Sequence, residues 1–194
     1  MIRFKTLSLL IVIATLSFAC EREVITSTTT PTAALYGASG IVAPAPQCGS
    51  SNTTFITNAA NSNLGNIEIA NDQNSIYVMI SMHPTRFMEE LRVFVGDAST
   101  LDNDGTGNLI MEGFQFQSTF SAPQSRYTVI LPKAGLGACV DVVLYGRVAT
   151  RNAFGQMTNR TYVWADGLPL FNVETYKYCV GNCAVSGGGS GHTH

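Results

Sequence analysis

Between residues 65 and 180 the chain alternates apolar and polar side chains in short runs separated by turn-forming residues. Ile76, Val78 and Ile80 alternate with Tyr77, Met79 and Ser81, and Leu91, Val93 and Val95 with Arg92 and Phe94. Tyr127, Val129 and Leu131 repeat the pattern, as do Val140, Val142, Leu144 and Val148. A period of two sends alternate side chains to one face, so each run predicts a half-buried strand. RTYVWAD (160–166) and TYKYCV (175–180) add two segments rich in the aromatic and β-branched residues that favour strands. The gaps hold Asn71-Asp72-Gln73-Asn74, Gly96-Asp97, Asp104-Gly105, Pro132-Lys133 and Asp166-Gly167, all of them turn chemistry. Seven or eight short strands with tight connections predict an all-β, antiparallel β-sandwich, with a small β-barrel as the alternative.

The pattern breaks down at both ends. Residues 1–19 carry Arg3 and Lys5, an apolar run from Leu7 to Phe18 and the small residue Ala19, the layout of an export signal rather than a spanning helix. Leu16-Ser17-Phe18-Ala19-Cys20 resembles a bacterial lipobox, which implies cleavage before Cys20, acylation of Cys20 and a membrane anchor. Several acyl chains hold a protein to a bilayer far more firmly than one. Residues 20–47 are rich in Thr, Ala, Pro and Gly and read as a flexible tether, with the domain at 48–185 and a Gly/Ser/His tail at 186–194.

Loss of the signal leaves nine Lys or Arg against thirteen Asp or Glu, with no basic stripe, which argues against nucleic-acid binding. Glu21-Arg22-Glu23 after the lipidated cysteine resembles the surface-export signals of Bacteroidetes lipoproteins, so surface display on the outer membrane is preferred to an inward-facing location. Four further cysteines, Cys48, Cys139, Cys179 and Cys183, fit an exported protein with two disulfides and allow three connectivities. Closing 179–183 directly makes a tight ring. The preferred scheme pairs Cys48 and Cys139 each with one of the two C-terminal cysteines.

Five stretches, GNIEIANDQNSIYVMI (65–80), LRVFVG (91–96), CVDVVLYGRV (139–148), YVWADG (162–167) and TYKYCV (175–180), follow one another in an order that resembles a group of exported Bacteroidetes lipoproteins. The resemblance implies a β-sandwich domain and brings no activity with it. Arg92 stands where that pattern has histidine, which removes histidine chemistry from the position.

Enzymatic constellations are scarce. His83 is the only histidine of the domain body, and Glu89 and Glu90 are adjacent, so a regular strand would send them to opposite faces. The expected function is therefore non-catalytic. One reading is a binding module for glycan or another extracellular ligand, with Tyr162 and Trp164 as an aromatic platform and Asp166 as a polar partner. The alternative is a structural component that associates with another envelope protein. Val163 and Ala165, on the other face of the Tyr162–Trp164 segment, are small and apolar, so either face suits the core. A core aromatic beside the Asp166-Gly167 turn is the preferred reading of Trp164. LDNDGTGNLIMEG (101–113) spaces oxygen-bearing side chains at Asp102, Asp104, Thr106 and Asn108 like the opening of a calcium loop. Gly113 occupies the position of the closing glutamate, so any calcium there would be structural and the bland reading is a polar turn between strands.

Overall fold

The computed structural model describes residues 36–45 and 47–183. The signal at 1–19, Cys20, the tether up to residue 35 and the tail at 186–194 lie outside the described residues. Eleven strands follow in order: β1 (Tyr36–Ser39), β2 (Asn52–Thr57), β3 (Gly65–Asn71), β4 (Ser75–Met82), β5 (Arg86–Gly96), β6 (Phe116–Gln124), β7 (Arg126–Pro132), β8 (Cys139–Arg151), β9 (Met157–Ala165), β10 (Leu168–Leu170) and β11 (Val173–Cys179). Single 3₁₀ turns at Ala98–Thr100 and Met111–Gly113 interrupt the β5–β6 connection.

All pairings are antiparallel, so the chain adopts the class that the alternation predicts. The strands run β1-β7-β4-β3-β2-β9-β8-β11-β10, with β5 on the other edge of β8 and β6 outside β5. Strand β8 carries β5 along one edge, and β11 and then β9 along the other. The result is one sheet, nearly closed and barrel-like, consistent with either expected architecture. The seam lies between β1 and β6. There Ser39 Oγ donates to Gln124 Oε1 at 2.7 Å, and Phe116 and Phe120 pack on Tyr127 at 5.9 and 4.8 Å.

The alternating apolar sets face inward. Ile67 and Ile69, Ile76 to Met82 in steps of two, Leu91 to Val95 likewise, Val129, Leu131, Val142, Leu144, Val163 and Tyr178 form one core. Burying each such side chain stabilises the fold by about 1.5–3 kcal/mol.

The outer face is covered in two places. On β3, β4 and β7, the outward residues Ala70, Tyr77, Met79 and Ile130 are buried together. Thr128 on β7 donates its hydroxyl to the Gly40 carbonyl and accepts from Val42 N–H, and Cys48 N–H bonds the Asn71 carbonyl at 2.7 Å. Residues 40–45 together with Cys48 thus form a strap across the outside of these strands. The fold therefore starts at least twelve residues before the expected boundary at 48. YGAS (36–39) lacks apolar alternation, and β1 pairs antiparallel with β7 along its backbone.

The second cover is the β5–β6 connection. Ala98, Leu101, Leu109 and Phe114 from this loop pack on Phe94, Val143 and Val173, which point outward from β5, β8 and β11. Phe94 and Phe114 meet edge-on at 6.5 Å.

Disulfides join Cys48 to Cys183 and Cys139 to Cys179, the preferred scheme. The first ties the end of the strap to the C-terminal segment, and the second links directly opposed residues of β8 and β11. Beside the first bridge, the fully buried Asn71 makes four hydrogen bonds. Its carbonyl accepts from the Tyr178 hydroxyl at 2.7 Å and Gly181 N–H at 2.8 Å; its amide donates to the Asp72 and Gly181 carbonyls. An amide with all four positions satisfied can be buried without the usual penalty.

Candidate functional site

Between the two covers, the outer face of β5, β8 and β9 is left open, and β9 settles which of its sides is core. Val163 and Ala165 are buried inside, so Tyr162 and Trp164 project outward. Tyr162 is 53% exposed and stacks on Tyr145 of β8, with ring centroids 5.5 Å apart and planes within 19°. Trp164 pairs with Tyr145 across the β8–β9 ladder and is partly buried against the edge of the loop-covered cluster. Its indole N–H, and the hydroxyl of Thr57 opposite it on β2, are buried without hydrogen-bond partners among the described residues. Asp166 is exposed at the end of β9; its backbone N–H bonds the Phe55 carbonyl, and its carbonyl accepts from Thr54 Oγ1. Phe55 is 48% exposed and adds apolar surface beyond β9.

The polar frame comes from residues that strand periodicity alone hides. The β5–β8 and β5–β6 registers shift between Met88 and Glu90, a bulge that brings both Glu89 and Glu90 to the outer face. This corrects the expectation that adjacent glutamates face opposite ways. Gly146 sits across from the bulge, where a side chain would run into the Glu90 carbonyl. Glu89 accepts from Arg160 Nε at 2.8 and 3.1 Å and pairs with Arg147 at 3.2 Å. Arg92 donates from Nε and Nη2 to Glu90 Oε1 at 3.0 and 2.9 Å, and from Nη1 to Gln117 Oε1. Glu90, Arg92 and Gln117 also line a shallow recess of about 140 Å³.

The Arg160 hydrogen bond, supported by the charges of Arg160 and Arg147, holds the Glu89 carboxyl below its ordinary range against the cost of burial. Glu89 is therefore an acceptor with a fixed charge, the opposite of a carboxylic acid poised to protonate a leaving group. Desolvation first, then the neighbouring Tyr162 and Glu90, push the Tyr145 phenol up, so it stays a neutral donor.

Asp102, Asp104, Thr106 and Asn108 lie together in one exposed loop, closed by a bridge between Asn103 and Leu109. Asp104 Oδ1 accepts from Thr106 N–H, Thr106 Oγ1 and Asn108 N–H, and Oδ2 accepts from Asn108 Nδ2 at 2.9 Å. These bonds, the Asn108 amide foremost, hold the Asp104 carboxyl far below the usual carboxylate range. Gly105 and Gly107 take φ of 76° and 92°, the left-handed backbone the turn needs. The loop's own donors thus engage the Asp104 oxygens that a cation would need, and among the described residues no three His, Cys, Asp or Glu side chains group as metal ligands.

The sequence brought out Tyr162, Trp164 and Asp166 but missed Tyr145, Glu89, Glu90, Arg92, Arg147 and Arg160 as their surroundings. A signal was present: Val143, Tyr145 and Arg147 fill the outward register of β8, as Arg160, Tyr162 and Trp164 do on β9. Only the pairing of those strands and the bulge bring the two sets together. No family model, curated protein or solved structure matches the chain.

Proposed function

We propose that this chain is an outer-membrane lipoprotein, anchored through Cys20 and displayed at the surface, whose domain binds glycan without catalysis through the open outer face of β5, β8 and β9. The observation that carries the reading is the Tyr145–Tyr162 stack, left uncovered while the strap and the loop bury outward residues on either side. Sugar rings present C–H faces that lie on aromatic rings, and hydroxyls that need fixed donors and acceptors beside them. Here Glu90 and Arg92 supply both, at rigid strand positions, and the exposed Asp166 adds an acceptor. A site on strands positions its groups better than one on loops.

A glycan array probed with the purified protein tests this. Binding that disappears in Tyr162→Ala, with an unchanged melting temperature, supports it; an array with no binding, or binding indifferent to Tyr162, counts against it.

One feature favours the second reading, association with another envelope protein. Among the described residues strand β10 pairs only with β11, and its own Leu168 and the following Phe171 are 64% and 45% exposed. Such an edge can accept a strand from a partner. Cross-linking on intact cells that recovers one dominant protein through Leu168 would favour this reading over the glycan.

A further inference from the structure

Six arginines lie among the described residues, and they divide into two groups. Arg92, Arg147 and Arg160 on the open face each pair with Glu89 or Glu90. Arg86, Arg126 and Arg151 form no ion pair among the described residues. All three of these sit at one end of the barrel, where four connections meet: 58–64, 83–85, Ser125 and 152–156. Backbone bonds knit that end together, from His83 N–H to the Leu64 carbonyl, Met82 N–H to the Ser125 carbonyl and Arg151 N–H to the Thr85 carbonyl. None of the four connections contains an Asp or Glu. The acidic turns, with Asp72, Asp97, Asp102, Asp104 and Glu112, lie beyond the opposite ends of the same strands.

The unpaired end is also concave. His83, Arg86, Phe87 and Arg126 line an open cleft of about 510 Å³, within the size range of small-molecule sites, and no carboxylate lines it. Two of the guanidiniums are held in place. Arg86 donates from Nη1 to Thr150 Oγ1, and Arg151 lies over the Phe87 ring at 4.0 Å from its centre. Thr85, at the lip, has φ of 72°, a conformation a β-branched residue rarely adopts. Such strain recurs where a turn is shaped for a ligand. Like charges gathered in a concavity without counter-ions raise the local positive potential, and planar guanidiniums match the oxygen spacing of tetrahedral anions.

We infer that this cleft binds the phosphate or sulfate group of a small soluble ester, with Arg86 and Arg126 as the oxyanion contacts and Arg151 adding charge. The site is separate from the aromatic face and does not depend on the glycan reading.

Calorimetric titration of the purified protein with glucose 6-phosphate, glucose 6-sulfate and glucose tests it, in wild type, Arg126→Gln, Arg86→Gln and Tyr162→Ala. Arg126 is exposed and unpaired, so its variant folds normally and keeps the test valid if Arg86→Gln does not. The expected result is binding of both esters but not glucose, weakened about tenfold or more in Arg126→Gln and unchanged in Tyr162→Ala. Equal affinity for glucose, or ester binding unaffected by Arg126→Gln, overturns the inference. So does binding to phosphatidylglycerol vesicles that needs Arg126 while the soluble esters fail to bind, because the cleft would then be reading a membrane surface.

Discussion

Two parts of the barrel's outer face start from similar material and end differently. On β5, β8 and β11, the outward Phe94, Val143 and Val173 disappear beneath Leu101, Leu109 and Phe114 of the β5–β6 loop. Two residues along β8 from Val143, Tyr145 stacks on Tyr162 of the neighbouring β9, and the pair is left in contact with solvent. The covered part is apolar and contributes to stability; the open part is aromatic and edged by five charged side chains already held in ion pairs. The β5–β6 loop covers the apolar patch and leaves the aromatic one exposed.

The largest stability effect lies under the strap. Cys48→Ser with Cys183→Ser removes a bridge between residues 135 apart and frees the cover over Tyr77, Met79 and Ile130. Closing a loop of that length is worth about 5 kcal/mol, so chemical denaturation of the variant should show a loss of that order while the other disulfide survives. Leu109→Ala comes next. It opens a cavity in the loop-covered cluster and should cost about 3 kcal/mol, measured the same way, without touching the open face.

Acidification acts on the paired charges of the open face. The folded protein depresses the Glu89 carboxyl below its unfolded value. Stability from that group is therefore present above the unfolded value and is lost as pH falls through the folded one. Melting temperature should fall on acidification below the ordinary glutamate range, and Glu89→Gln should show a shallower fall over the same window. The smallest stability effect belongs to Tyr162→Ala. Removing a half-exposed ring from an uncovered face should change stability by no more than about 1 kcal/mol, whatever it does to binding.

How much of this was legible in the sequence follows from the physics of each part. Strands β4, β5, β7 and β8 were plain because one face of each is fully buried, and burial enforces alternation. Strand β1 and the strap were read as tether because backbone bonds and a disulfide hold them, and neither leaves an apolar period. The loop at 97–115 looked like a polar turn with metal-like spacing. Its apolar anchors, Leu101, Leu109, Met111 and Phe114, are spaced irregularly, as suits a lid rather than a strand or helix. Tyr162, Trp164 and Asp166 could be picked out by residue type, but the glutamates and arginines around them could not. Their convergence depends on the bulge at Glu89, which shifts the register by one residue and shows in the hydrophobic pattern only as a three-residue step between the inward Met88 and Leu91.

The central claim is that the open aromatic face is the binding surface, and the protein contains its own reporter. Trp164 is the only tryptophan, and it sits across the ladder from Tyr145 at the edge of that face. Its emission should therefore change saturably when a glycan that the protein binds is titrated in, and the change should be absent in Tyr162→Ala. Tight glycan binding with no change in Trp164 emission, and undiminished in Tyr162→Ala, would contradict the account.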